Sequence, residues 1–347
     1  MPNPIPTRFA ADVPTWLTVL VALLLALSLV LNVIALLPST AFMEITGALM
    51  PGPYSILKVV EMLWGHGLYP LAVLVVCFSV VFPPLKIGLA TMAFIRPMTL
   101  AGRQRLLGTL GQLGRWSLLD VFVALLLIII TSKQTFTGST VRWGLYAFLA
   151  AIVLSMTSVA IMQEVNRRLH LRTSPPDTHR AKPLVQRSWM AWSALPLLLV
   201  AIACLELAVG LPLFQIDKFG LMSNTWSLWS AIGELHDKGL SLFADLMLLF
   251  LVIAPAVLVL VAIALLVLPL RRRAQRVLYI AMHNINEWCM LDVFALAMIL
   301  YLSEERNFAK LNLKSGIWFL FGAMVLFHMV MYLTVWTTKR SLGLDRS

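Results

Sequence analysis

Charge is scarce in this 347-residue chain: 12% of its residues are charged, against 60% hydrophobic. A soluble globular protein carries about 25% charged residues, so the scarcity excludes an ordinary soluble domain. Cysteine is scarcer still. Cys77, Cys204 and Cys289 all fall in or beside apolar runs and show no CxxC spacing. Neither a zinc ribbon nor a disulfide framework can be built from them. Histidines are few and scattered, with His283 at the edge of one apolar run and His328 inside another, and no HExxH spacing occurs. No P-loop, GxSxG elbow or dinucleotide fingerprint is present either. The chain therefore reads as no enzyme, with no metal and no cofactor. Period-two alternation is also missing, which excludes a membrane barrel.

What the chain does have is long apolar runs. Eight candidate spans appear at Trp16–Leu37, Leu68–Ala90, Trp116–Ile130, Gly144–Met162, Trp189–Leu211, Leu242–Leu268, Trp288–Leu302 and Gly316–Trp336. Hydrocarbon forces each backbone polar group to bond internally, so helices are the natural spanning form. The third and seventh runs are short; the third can begin earlier, through LLGTLGQLG. The expected fold is all-α: a polytopic membrane protein of about eight transmembrane helices.

The basic residues orient these spans. Arg96, Arg103, Arg105 and Arg115 lie between spans two and three. Arg167, Arg168, Arg172, Arg180, Lys182 and Arg187 lie between four and five, and Arg271, Arg272, Arg273 and Arg276 between six and seven. This is a positive-inside pattern. It places both termini in the cytoplasm and accounts for most of the net charge of +11. Basic residues beside spans on one side mark topology rather than nucleic-acid binding. The proline-rich start MPNPIPTRFAADVPTW, followed by a full-length span, reads as retained rather than as a cleaved signal peptide.

The chain also repeats itself. RWSLLDVFVALLL starts at Arg115 and EWCMLDVFALAMI at Glu287, 172 residues later. The same offset pairs Ser55 with Ser227, Gly67 with Gly239, Pro83 with Pro255 and Gly144 with Gly316. Register kept across the flanking spans marks an internal duplication. The expected layout is an N-terminal segment (1–15), a first four-span repeat (16–163), a basic linker (164–188), a second four-span repeat (189–336) and a tail (337–347). With an even number of spans in each, the two four-helix repeats lie parallel, unlike the inverted repeats of many transporters.

The duplicated unit, the WxxLDVF word before a short span, and the outer loop containing LP and Ser resemble the paraquat-inducible protein A family, over about Thr15–Tyr332. The resemblance implies an integral inner-membrane protein that passes lipid to or from a periplasmic MCE-domain partner. Phospholipids or other membrane lipids would be its cargo. Well-known relatives carry cysteine-rich zinc-ribbon modules before their membrane repeats. This chain lacks such cysteines, so metal-dependent regulation is not carried over. Two other readings stay open: a proton-coupled transporter of a small amphiphile, and a structural membrane subunit without its own transport path.

The residues that carry these readings are few. Trp116, Asp120 and Phe122 match Trp288, Asp292 and Phe294 in the repeated word. A carboxylate in a span is costly, so each Asp anchors a helix start, couples to a proton, or lines a lipid path. Lys86 is the intramembrane cation available to the first copy; its counterpart is Leu258. Glu206 and Asp245 add acids to the second half only. They either face an outer cavity or are solvated. Pro83 and Pro255 mark a shared bend and candidate hinge. In the outer loops, amphipathic segments Tyr54–Trp64 and Trp226–His236 suggest surface helices. Asn224 or Thr225 is the expected cap of the second. Tyr54, Trp64, Trp226 and Trp229 are the candidate docking residues, or interfacial anchors.

Overall fold

The computed structural model describes residues 9, 13–37, 41, 43–47, 52–65, 67, 69–119, 121–123, 125–126, 137–172, 189–218, 222–303 and 310–342. The chain divides into two compact units, residues 1–175 (unit 1) and 176–347 (unit 2).

In unit 1, α1 (Thr15–Leu36) leads into strands β1 (Met43–Gly47) and β2 (Gly52–Tyr54), then the short α2 (Ile56–Gly65). Helix α3 (Tyr69–Val75) continues through a π-helical segment, Val76–Val81, into α4 (Phe82–Ile95). Helix α5 (Leu100–Gly114) tightens into a 3-10 turn at Arg115–Leu118. Strand β3 (Thr137–Val141) precedes α6 (Trp143–Arg172).

Unit 2 runs through the same kinds of element. They are α7 (Trp189–Gly210), β4 (Phe214–Lys218), β5 (Met222–Trp226), α8 (Leu228–Asp237) and α9 (Ser241–Leu248). A π-helical segment at Leu249–Ile253 then leads into α10 (Ala254–Val267). Next come α11 (Arg272–Trp288), α12 (Leu291–Ser303), β6 (Lys310–Leu313) and α13 (Ser315–Leu342).

Helix α1 shows why this is a membrane fold. Its buried face is Val21, Leu25, Ser28, Asn32 and Ala35. Its exposed face includes Trp16, Leu23, Leu27, Val30 and Val33. Ser28, Asn32 and Ala35 point inward with Val21 and Leu25, while the outward face is lined with bulky apolar side chains. In water that arrangement exposes a large apolar surface; in lipid it costs nothing. Among the described residues, six helical stretches are long and apolar enough to cross a membrane: Thr15–Leu36, Val76–Ile95, Trp143–Arg167, Ala191–Gly210, Ser241–Val267 and Ser315–Thr338. The third and seventh expected spans are not among them. The seventh is the short helix α12, and part of the third lies outside the described residues. Helices α6 and α13 run beyond their expected ends at Met162 and Trp336, because polar, helix-favouring sequence continues past the apolar run.

Helix α1 packs along α6, and α7 along α13. In unit 1, Phe9, Val21, Leu25, Ala90, Ala93, Leu107, Leu110, Val159 and Met162 form one buried cluster. Amide side chains reinforce it: Gln163 Nε2 donates to the Leu107 carbonyl (2.6 Å) and Asn166 Nδ2 to that of Leu100 (3.0 Å), fastening α6 to α5. In unit 2, Ala191, Ala194 and Leu266 pack with Leu195 and Leu333.

Each unit carries a small antiparallel sheet, ordered β2-β1-β3 and β5-β4-β6. Met43 pairs with Tyr54 and Val141; Phe214 pairs with Trp226 and Leu313. The sheet thus ties the loop after the first helix to the strand that enters the last one. The sequence reading did not anticipate these sheets.

The short helices α2 and α8 begin on serine. Ser227 Oγ accepts from Ser230 N (3.1 Å), and Ser230 Oγ accepts from Ser227 N (2.9 Å), a reciprocal cap. This corrects the expected caps Asn224 and Thr225, which lie in β5 instead. Ser55 Oγ accepts from Lys58 N (3.4 Å) in unit 1. Helix α8 ends with Leu240 N donating to Leu235 O and Gly239 N to His236 O. That closure needs a left-handed residue, and Gly239 has φ 73°, matched by Gly67 at 77°.

Gly316 is the tightest point of unit 2. A Cβ there would meet the Pro212 carbonyl oxygen at 2.6 Å and that of Leu211 at 2.8 Å. Gly316→Ala is expected to cost about 1–3 kcal/mol through forced backbone movement, read as a lowered Tm in detergent. Gly88→Ala, with nothing within 4 Å, is expected to be neutral or slightly stabilising, by about 0.5–1 kcal/mol.

Candidate functional site: a broken helix packed against a broken helix

The repeated word sits where two interrupted helices meet. One interruption is the π-helical segment. In unit 1 Phe82 N–H donates to Cys77 O, and in unit 2 Ala254 N–H donates to Leu249 O, each reaching five residues back. The next donors in line would serve Phe78 O and Phe250 O. Those positions are Pro83 and Pro255, which have no N–H. Each proline therefore strips one carbonyl of its helical partner.

The other interruption is the word itself. In unit 2, α11 ends at Trp288, Cys289 is extended (φ −81°, ψ 107°), and α12 starts at Leu291. This break exposes donors, and Met290 N–H reaches the Phe250 carbonyl at 3.4 Å, a long bond. The ring of Phe250 stacks on Trp288, with centroids 5.9 Å apart. In unit 1, Phe78 meets Trp116 at 6.3 Å. Phe78 and Phe250 are themselves 172 residues apart. They are functional candidates that the sequence reading missed, although the repeat offset was enough to find them.

Asp292 lies in the first turn of α12, where the helix dipole favours a negative charge. Its Oδ1 accepts from Val293 N at 3.0 Å. Its Oδ2 is 4.0 Å from His328 Nε2 on α13. Asp120 lies outside the described residues. Phe122 and Phe294 are both buried, as are Val121 and Val293 beside them.

The two elbows differ in polarity. Unit 1 buries Lys86, Ser79 and Ser117, where unit 2 has Leu258, Leu251 and Cys289. Lys86 is so close to α5 that a Cβ on Gly114 would stand 2.5 Å from its Nζ. The Ser79 and Ser117 hydroxyls have no hydrogen-bond partner among the described residues. Glu206 and Asp245 are exposed and are not gathered into either elbow.

On the short helices α2 and α8, Trp64 and Trp229 are exposed, and Trp64 meets Tyr69 edge-on at 5.0 Å. Trp226 is 1% exposed. It cannot present a docking surface, because it pairs with Phe214 in the sheet and packs inward. Tyr54 is placed in β2. Beyond the membrane-length helices, burial lowers the pKa of Lys238 at the end of α8, against the opposing charge of Glu234. Among the described residues no group of three or more His, Cys, Asp or Glu side chains is placed to hold a metal ion.

Outward faces rich in large apolar side chains and six membrane-length helices among the described residues define a polytopic helical membrane protein. The family model for paraquat-inducible protein A matches residues 17–169 and again 192–339, and the chain belongs to that family. No curated protein and no solved structure matches it. Membership supports a multi-pass inner-membrane protein with a role linked to MCE-type lipid-transport systems.

The elbow makes a direct energetic prediction. Phe250→Ala should cost about 3–5 kcal/mol, as for other buried aromatics. A double-mutant cycle with Trp288→Ala should show a coupling of about 0.5–1.5 kcal/mol. Strictly additive losses in denaturation would mean that the ring contact holds nothing together.

Proposed function

We propose that this chain hands lipid to or from a periplasmic MCE-domain protein through an eight-span membrane body. In this reading the third and seventh spans are the short helices that carry the word, and the two four-span repeats lie parallel. The repeats span 16–163 and 189–336, joined by the basic linker 164–188, with both termini cytoplasmic. The observation that carries the reading is the doubled elbow inside a family match that is itself doubled.

The physical argument is about access. A lipid leaving a bilayer must pass its polar head along the protein while its tails stay in apolar surroundings. Continuous helices offer only apolar faces. A helix interrupted by a π-helical segment and a proline presents backbone carbonyls and a bend at membrane depth, and such segments recur at functional positions. Asp292 lies beside the bend in the second copy, its repeat counterpart Asp120 is assigned the same role by the 172-residue offset alone, and Lys86 adds a cation to the first copy. Pro83 and Pro255 serve as hinges. The exposed Trp64 and Trp229, on the short helices beside the sheets, offer the partner a surface at the outer membrane boundary.

Photocrosslinking residues at Trp229 and Trp64, in native membranes, are expected to capture an MCE-domain protein. The same residues at Phe122 and Phe294 are expected to capture lipid. Absence of the MCE adduct would remove the partner from this reading. Partner without specific lipid would leave a structural subunit.

A further inference from the structure

Helix α11 opens on a cluster of cations with no acid near it in the sequence. Arg271, Arg272, Arg273 and Arg276 fall within six residues, and no acidic residue occurs between Asp245 and Glu287. Arg271 is exposed and Arg276 half-buried. Neither takes part in an ion pair among the described residues. The cluster stands at a membrane boundary. Arg271 is four residues beyond Val267, where the membrane-length stretch Ser241–Val267 ends.

The helix has two unlike sides. By helical periodicity, positions 275, 278, 279 and 282 share one side, and Gln275 and Met282 are buried there. Positions 273, 277, 280 and 284 take the opposite side, where Val277 is 57% exposed. Arg276 lies between, one turn before the half-buried Ile280. A charged helix face solvated by water has polar neighbours. Here cations alternate with exposed aliphatic surface, the mixture that settles a helix at headgroup level. Nor does the repeat supply this cluster. The counterparts 172 residues earlier are Thr99, Leu100, Ala101 and Gln104, all uncharged. Unit 1 spreads its own cations instead. Arg103 is buried, its guanidinium 5.8 Å from the centre of the Phe9 ring. Arg96 and Arg105 are exposed but nine residues apart. Scattered arginines are enough to set topology, whereas four in six residues at one boundary concentrate positive potential where anionic headgroups lie.

We infer that the first two turns of α11 are a docking surface for anionic phospholipid, at the membrane face where the preceding span ends. The arginines donate to headgroup phosphates, and Val277 and Ile280 lie against the first acyl carbons. Unit 2 thereby holds a patch of anionic lipid that unit 1 does not. The surface requires only that the chain is a membrane protein, and it is independent of the MCE-domain partner.

The test uses the full chain, delipidated in detergent and offered phosphatidylglycerol or phosphatidylcholine at equal concentration, with bound lipid counted by native mass spectrometry. Phosphatidylglycerol is expected to be retained about tenfold or more over phosphatidylcholine. Two double variants remove the same charge from different places. Arg271→Gln with Arg276→Gln should cut the preference about fivefold or more, while Arg96→Gln with Arg105→Gln leaves it nearly unchanged. No preference in the native chain, or equal losses from the two double variants, would overturn the surface, because diffuse charge would then explain the binding. A photocrosslinking residue at Val277, in native membranes and with all four arginines in place, is expected to capture phospholipid. Capture of a protein there instead would overturn the inference as well. Failure of the MCE crosslink at Trp229 with the headgroup preference intact would sink the partner reading and spare this one.

Discussion

A carbonyl freed inside a membrane helix must find a donor, because hydrocarbon supplies none. Much of this protein follows from that constraint. Pro83 and Pro255 each withhold one N–H from a π-helical segment. The segment bends, and a second broken helix is brought against it. In unit 2 the second break donates Met290 N–H to the orphaned Phe250 carbonyl, and the Phe250–Trp288 stack holds the two breaks together. The WxxLDVF word is then intelligible residue by residue. In unit 2 its Trp packs on the bend, its Asp lies in the first turn of a new helix, and its Val and Phe are buried.

The two copies of this joint share the π-helical segment and the Phe–Trp contact, but unit 1 passes the word in a 3-10 turn where unit 2 breaks at an extended Cys289, and their side chains differ as well. Unit 1 surrounds its joint with a buried amine and two hydroxyls. Unit 2 replaces those three residues with apolar or sulfur side chains and places His328 beside its Asp instead.

Much of this was legible in the sequence. The membrane-length helices followed from the long apolar runs, and the repeat offset placed the word, the prolines and the turn glycines. The sheets were not legible, because their strands have three to five residues and pair across distant loops, as Met43 does with Val141. The burial of Trp226 was hidden for the same reason: as an outer-loop tryptophan it reads as an interface anchor until its strand partner is known. Nor was the π-helical geometry legible, since a proline in a span announces a bend without stating which carbonyl is released. The Asp292–His328 approach joins α12 to α13 across a loop and leaves no local pattern at all.

The most direct measurement is amide-resolved hydrogen exchange at Met290, comparing the native chain with Pro255→Ala in lipid nanodiscs. Alanine restores an N–H able to serve the Phe250 carbonyl, so Met290 should lose its acceptor. Its exchange should rise several-fold, up to about tenfold for a hydrogen bond worth about 1.4 kcal/mol. Unchanged exchange at Met290 would mean that the freed carbonyl does not hold the joint.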